Sequence, residues 1–317
     1  MNVTVISPVF NEEECLSEFA RRMNDVMLTL QERRIELKVV FVNDGSTDNS
    51  FEILRDITEN NSSFNAIHLS TNFGHQAAVW CGLESIDPSH HVIVMDVDLQ
   101  DPPEILPQII ELSKNYEVVL TKRKSRVDTL FKKCTASFYY KMLDNLSDGK
   151  VISNSGDFYM LSPNTRKALL QHSESVKYIR GLIANLGFKS VTFEYDRDGR
   201  YAGSTHYTIT KMFRLALAGV TGFSIKPLIY VTYLAISVSG ITIIGSVYVF
   251  SLRLFGGNQF SPGIITIIMI QLLLGALILA SLSVLSLYVA RITLEVKKRP
   301  LYFVQSTRKG ADNAEEL

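Results

Sequence analysis

Two stretches near the end of the chain, Leu228–Phe250 and Ile264–Ala290, carry no charged side chain at all. Each is longer than the ~20 apolar residues a helix needs to cross a bilayer. Inside lipid a backbone must satisfy its own hydrogen bonds, which confines such runs to helices. Gly240, Gly245, Gln271 and Gly275 interrupt them without adding charge. The connector Ser251–Gly263 holds only Arg253, whereas Arg291, Lys297, Lys298, Arg299, Arg308 and Lys309 follow the second run. That excess of Lys and Arg predicts both termini in the cytoplasm and the connector outside. The segment 226–290 is therefore expected to hold two transmembrane helices, at about 228–250 and 264–290, with 291–317 as a basic cytoplasmic tail. Helices buried in a large soluble core are the other way to lose charge; two uninterrupted runs in succession favour the bilayer. Ahead of them, Thr208–Ser224 sets Lys211 and Arg214 against Met212, Phe213, Leu215, Leu217 and Val220. This amphipathic pattern predicts a juxtamembrane helix over 208–225, lying flat among the headgroups.

Residues 1–207 follow another rhythm. Val3–Ser7, Leu37–Val42, Ala66–Leu69, Val92–Met95 and Glu117–Thr121 are short apolar runs, and Leu16–Leu30, Phe51–Thr58 and His75–Ile86 between them have helical spacing. Alternation at this length predicts an α/β domain, doubly wound about a mostly parallel sheet with right-handed crossovers. No cleavable leader is expected, because Met1–Ser7 runs straight into the first strand and Glu12–Glu14 follow. Cys15, Cys81 and Cys134 are scattered, without a C-x-x-C pair. That fits reduced cytosolic thiols and argues against a thiolate metal site. The 32 basic and 32 acidic side chains cancel, so the charge balance points to no nucleic acid.

In doubly wound sheets ligands gather beyond the carboxyl ends of the strands, and three loops there are polar. After the first strand comes Ser7-Pro8-Val9-Phe10-Asn11-Glu12, and after the second Asn43-Asp44-Gly45-Ser46-Thr47-Asp48. After the fourth comes Asp96-Val97-Asp98-Leu99-Gln100-Asp101-Pro102-Pro103-Glu104. Two carboxylates spaced i, i+2 end a buried β-branched run, and the Pro-Pro pair stops the strand. Such a pair can converge on one hard cation, Mg²⁺ or Mn²⁺, able to hold a diphosphate. A lone pair of this kind is also an exposed turn before a helix, and Asn-Asp-Gly-Ser is an ordinary turn. All three loops on one edge of one sheet favour a single functional cleft. Further on, Lys122-Arg123-Lys124-Ser125-Arg126 is either a phosphate-sized cluster of charge or a solvated face. Asn154–Phe158 is a glycine-bearing turn that carries Asp157, and Arg197–Tyr207 is a long polar loop of the kind that covers a site.

Ser7-Pro-Val-Phe-Asn-Glu-Glu13, Val42-Asn-Asp-Gly-Ser-Thr-Asp48, Asn72-Phe-Gly74, Asp96–Glu104 and Ser155-Gly-Asp-Phe158 stand in an order that resembles family 2 glycosyltransferases of the GT-A fold. The resemblance covers essentially the whole chain, through Lys297-Lys-Arg-Pro-Leu-Tyr302. Within the family it is most similar to polyprenyl-phosphate glycosyltransferases, relatives of dolichol-phosphate mannose synthase, and to the bactoprenol glucosyltransferases of O-antigen glucosylation. It implies a metal-dependent, inverting transfer of a hexose, glucose foremost, from a UDP-sugar to undecaprenyl phosphate. The site would be the cytoplasmic face of a bacterial inner membrane, and the product a lipid-linked sugar for modifying lipopolysaccharide or another surface polysaccharide. By the same resemblance Pro8, Phe10, Glu12, Asp44 and Asp96 would line the nucleotide pocket, and Asp96, Asp98 and Gln100 would hold Mg²⁺ or Mn²⁺. Asp98 and Asp157 would be catalytic, with Asp157 near the acceptor; Arg123, Arg126 and Arg200 would receive phosphate groups. The chain departs from the family pattern at His75 and His206, where Lys is common, and at Ser286-Leu287-Tyr288. Mannose, galactose, N-acetylated or deoxyamino sugars therefore stay open as donors.

Other classes fit less well. A processive polysaccharide synthase would need a Gln-x-x-Arg-Trp segment, and Trp80 is the only tryptophan. A transporter or flippase would need a polar path that two charge-free spans do not offer. A catalytically silent scaffold would keep the cleft without turnover. Ser237, Ser239, Gly240, Gly275, Ala276 and Ala280 either let spans approach closely in a homo-oligomer or simply face lipid.

Overall fold

The structure, a computed structural model, describes residues 1–123, 155–174, 177–196, 229–238, 240–241, 244, 251, 264–297, 299–310 and 315–316. Arg126, Arg200, His206, the expected juxtamembrane helix 208–225 and the side chain of Arg123 lie outside what it describes. The elements run β1 (Asn2–Val9), α1 (Glu13–Gln31), β2 (Glu36–Asn43), α2 (Ser50–Asn60), β3 (Phe64–Leu69), α3 (His75–Ser85) and β4 (His91–Val94). A 3₁₀ turn then leads into α4 (Leu106–Leu112), followed by β5 (Val118–Arg123), β6 (Ser155–Leu161), α5 (Pro163–Leu170), α6 (Ile179–Asn185) and β7 (Ser190–Tyr195). The apolar helices α7 (Ile229–Val238) and α8 (Ile264–Lys297) come next, and strands β8 (Val304–Arg308) and β9 (Glu315–Glu316) last. The chain divides into two compact units, one holding the sheet with the residues from Arg299 onward, the other the apolar helices.

The sheet has the order β7-β5-β6-β4-β1-β2-β3-β8-β9. β1 is parallel to both β2 and β4, and β2 to β3, as the alternating pattern predicts. From Val3 to Val9 β1 is buried at every residue, because helices cover both faces of the sheet and a two-sided strand must be apolar throughout. On one face Phe19, Phe41 and Phe64 form a ladder with ring centroids 6.0 and 5.8 Å apart. On the other, α3 contributes Ala78, Trp80, Cys81 and Leu83 to a core with Ile6, Val42 and Tyr159. β6 enters antiparallel between β4 and β5, with Val94 opposite Tyr159. Order reverses at β1, where the chain goes first to β2 and β3 and then returns to β4 on the far side. This is the switch point beyond which a doubly wound sheet opens its crevice.

Two boundaries differ from expectation. α8 runs 34 residues, about 50 Å at 1.5 Å per residue, and passes the charges at Arg291 and Glu295 without a break. Charge marks where an apolar run ends, but a helix stops only where its backbone is broken, here before Pro300. Among the described residues one stretch, Leu277–Lys297, is long and apolar enough to cross a bilayer, and Ile229–Val238 is a shorter apolar helix. The two-span expectation thus has one helix of sufficient length behind it; much of 239–250 lies outside the described residues. Ile267, Ile278, Leu279, Leu282 and Val296 are exposed, while Ser281 and Ser283 turn their hydroxyls onto Leu277 and Leu279 carbonyls at 2.8 Å. That back-bonding hides polar atoms on an apolar helix.

The second difference concerns 291–317, expected as a basic tail. Its β8 pairs antiparallel with β3, setting Ala66 opposite Arg308 and His68 opposite Ser306. Ser70 N–H donates to Phe303 O at 2.9 Å, Arg308 reaches Glu59 at 2.9 Å, and Tyr302 donates its hydroxyl to Glu84. Gly310 N–H donates to Asn65 Oδ1 at 3.1 Å. A Cβ at Gly310 would come within 2.5 Å of the Asn61 and Phe64 carbonyl oxygens, so only glycine allows this close approach. β8 covers the backbone edge that β3 would otherwise expose.

Candidate active site

The loops after β1 and β2 are stitched together by side chains bonded to backbone. Asn11 N–H donates to Ser46 Oγ at 3.1 Å, and Thr47 N–H donates to Asn11 Oδ1 at 2.8 Å. Glu12 N–H meets Ser50 Oγ at 3.0 Å, Glu13 N–H meets Asp48 Oδ2 at 3.1 Å, and Asn49 N–H returns to Glu13 Oε2 at 2.9 Å. Asp44 then reaches the third loop: its carboxylate accepts Phe73 N–H at 2.7 Å and Gly74 N–H at 2.9 Å. Burial raises the Asp44 carboxyl above its ordinary range, and those two amides oppose the rise. Gly45 turns the chain at φ 65°, where a Cβ would lie 2.4 Å from the Thr71 carbonyl carbon. Beneath, Asn43 Nδ2 donates to His68 Nδ1 at 3.2 Å. Burial, with Arg308 adding to it, pushes that imidazole down to about 4. Pro8 is buried in this floor, Glu12 is half-buried, and the Phe10 ring stands exposed at its rim.

The turn after β4 alternates sharply. Met95, Val97 and Leu99 enter the core, so Asp96 and Asp98 between them face the other way, both half-buried. Leu99 holds a left-handed φ of 57°, a conformation that costs a side-chain-bearing residue about 1–2 kcal/mol. Burial of its side chain, the Gln100 N–H bond to Asp98 Oδ1 at 3.1 Å, and the Tyr195 hydroxyl on buried Asp101 hold it there. Gln100 itself is buried. β6 carries Asp157 two residues before Tyr159, the partner of Val94 at the end of β4, close enough for its charge to act on Asp96. Burial pushes Asp96 up to about 6; Asp157, Asp98 and Asp101 add to the rise, and His75 opposes it. His75, first in α3, stands with Nδ1 3.8 Å from Asp96 Oδ1. Arg180, in the first turn of α6, puts Nε 3.3 Å from Asp157 Oδ1.

Asp44, Asp96, Asp98 and Asp157 thus come to one rim, with Glu12 and Phe10 beside them. Sequence reasoning missed Arg180. Its neighbours Lys177-Tyr178-Ile179 offer no spacing signal, and it reaches Asp157 only through the packing of α6. Asp96 and Asp98 fit a hard divalent ion: they are adjacent oxygen donors in a crowd of like charge that a cation would relieve. Among the described residues no group of three His, Cys, Asp or Glu could hold a metal by itself.

Residues 4–170 match the model of glycosyl transferase family 2. The chain belongs to that family. Among its relatives is the uncharacterized glycosyltransferase YkcC of Bacillus subtilis, 38% identical over 306 residues, covering 96% of this chain and 93% of that one. The SfII prophage-derived bactoprenol glucosyl transferase of Shigella flexneri is 31% identical over 312 residues, 98% and 99% of the two chains. In fold, this family 2 enzyme is similar to glucosyl-3-phosphoglycerate synthase of Mycobacterium tuberculosis, crystallised with Mn²⁺, UDP and glucosyl-3-phosphoglycerate. There the TM-score is 0.50 at 12% identity, over 69% of this chain and 77% of that one. The GT-A architecture implied by the resemblance to family 2 is therefore the one observed.

Proposed function

We propose that this glycosyltransferase moves a hexose, glucose foremost, from a UDP-sugar to undecaprenyl phosphate at the cytoplasmic face of a bacterial inner membrane, with inversion at the anomeric carbon. The observation that carries this reading is the length of the match to relatives named bactoprenol glucosyl transferase: it spans 98% of this chain, the apolar helices included. A polyprenyl acceptor stays in the bilayer, and exposed apolar side chains along α8 are what a lipid-embedded helix presents.

In this reading Pro8, Phe10, Glu12 and Asp44 shape the nucleotide pocket, Asp44 by bracing the Phe73–Gly74 backbone. Asp96 and Asp98, with Gln100 beside them, would hold Mg²⁺ or Mn²⁺. Bound there, the ion would supply Lewis-acid stabilisation of charge on the departing diphosphate. Arg123, Arg126 and Arg200 are proposed to receive phosphate groups, and small residues such as Ser237, Gly240, Gly275 and Ala280 in the apolar segments would permit a homo-oligomer. The acceptor is already an anion near pH 7. One of its phosphate oxygens bonds to the anomeric carbon as that carbon's bond to the diphosphate oxygen breaks, the electron pair leaving with UDP. No proton need move, so positioning is the main task left to the protein.

Purified protein in detergent, incubated with undecaprenyl phosphate, Mg²⁺ or Mn²⁺ and a panel of UDP- and GDP-sugars, tests this. Mass spectrometry of the lipid fraction should show one sugar-bearing lipid phosphate that disappears with chelator. Absence of any lipid product, with UDP binding intact, would refute the acceptor assignment.

A further inference from the structure

We propose that Arg180 binds the acceptor phosphate and that Asp157 is the positioning residue that aims it, acting on the guanidinium rather than taking a proton. The inference rests on the lipid-phosphate reading above and assigns it a cation among the described residues.

The 3.3 Å contact between Arg180 Nε and Asp157 Oδ1 joins two side chains that are each 31% exposed, open enough to meet a ligand and fixed enough to be aimed. The guanidinium is held from several directions. Its Cζ lies 5.5 Å from the Tyr178 ring. The first turn of α6 is tied to the start of α3 by Ile179 N–H donating to Gln76 Oε1 at 3.2 Å. An arginine so braced loses little freedom on gripping an anion, and its planar fork matches phosphate oxygens.

Charge makes the same case. Asp98 and Asp157 both act on Asp96 at one end of the cleft, and a phosphate mono- or dianion entering there would be repelled by each of the three. His75 stands against Asp96 and Arg180 against Asp157, so among the described residues Arg180 supplies a permanent positive charge beside Asp157. Asp157 has no obvious proton to collect, because an acceptor oxygen that attacks as an anion carries none. Its carboxylate is instead placed to fix the direction of the fork, as a carboxylate fixes a bound side chain elsewhere in enzymes.

The test uses the full-length protein in detergent with undecaprenyl phosphate and the donor found active. Arg180→Ala should raise the acceptor KM and lower kcat by about tenfold or more each, the scale of losing one partner of a phosphate contact. The donor KM should stay within about twofold, since Arg180 meets Asp157 and not the residues proposed to hold the donor. Guanidinium chloride at millimolar levels should restore part of the turnover of Arg180→Ala and none of that of Asp98→Ala. Arg180→Lys should lie between wild type and Arg180→Ala. The double variant Asp157→Asn with Arg180→Ala should be no slower than the slower single variant, as expected of residues acting as a unit. An unchanged acceptor KM in Arg180→Ala overturns the assignment. Strictly additive losses overturn the role given to Asp157. If Arg180→Ala loses UDP binding and so its fold, the KM split of Arg180→Lys decides alone. A wild-type protein that glycosylates no lipid phosphate overturns the underlying reading instead, before any variant is compared.

Discussion

The two sides of the cleft are built by different means. On the side of β1, β2 and α3, side chains bond to backbone: Asn11, Ser46, Asp48, Ser50 and Asp44 each hold a neighbouring loop by its amides. On the side of β4, β6 and α6, charge faces charge, with Arg180 against Asp157 and His75 reaching from the start of α3 to Asp96. Amide bonds of the first kind are complete without a ligand. The second side is left with a surplus of carboxylates, which add to the burial that pushes Asp96 up to about 6. A site that must admit a nucleotide, a cation and a phosphate benefits from this division: one wall is finished by folding, the other by binding.

The widest gap between the two walls should appear when one carboxylate is neutralised on each. Asp96→Asn is expected to cut turnover by about a thousandfold, the loss of a group that stabilises transition-state charge. It should at the same time leave thermal stability unchanged or raise it, because it removes one like charge from a crowd. A large fall in Tm would put Asp96 with the structural carboxylates. Asp44→Ala should do the reverse in kind, stranding the Phe73 and Gly74 amides and costing about 3 kcal/mol of stability. Denaturant unfolding that matches wild type would show that those amides find other partners.

The finished wall has a titratable weak point in His68. Burial pushes His68 down to about 4 from an ordinary 6.5, so between those pH values the unfolded chain binds a proton that the fold refuses. Stability from this group is whole above about pH 6.5, declines as pH falls, and levels off below about 4, with about 3 kcal/mol lost at most. A plot of Tm against pH should therefore have a shallower acid limb in His68→Gln; parallel curves would contradict it. The smallest effect lies away from the cleft. Tyr302→Phe removes the hydroxyl bond to Glu84 and should cost about 1 kcal/mol without altering donor KM. A change in donor KM would tie the β8 edge to the nucleotide wall.

The finished wall is also the more legible in sequence. Its residues lie in contiguous loops after strands whose apolar runs are plain, so Pro8, Glu12 and Asp44 could be placed at the strand ends by spacing alone. The alternation of Met95, Val97 and Leu99 against Asp96 and Asp98 is likewise local. Arg180 was invisible because its contact with Asp157 depends on the packing of α6 against α5 and the start of α3, a placement no local pattern encodes. β8 was missed for a related reason. Val304-Gln-Ser-Thr-Arg308 alternates only weakly, and its partner β3 is named by register, a long-range property. The end of α8 was misplaced because charge was allowed to stand for a helix stop that Pro300 supplies.

The pairing of β8 with β3 also sets an order in time. Gly310 bonds to Asn65 across 245 positions of chain. At 5–20 residues per second the ribosome needs roughly 10 to 50 s to make that stretch. Through this interval β3 has an open edge that invites pairing with other chains. Both apolar runs are translated within it, so the catalytic sheet is completed only after they have left the ribosome. A message cut short before β8 would leave a protein whose nucleotide loops are all present and whose sheet edge nonetheless marks it as unfinished, a substrate for proteases and chaperones rather than for sugar transfer.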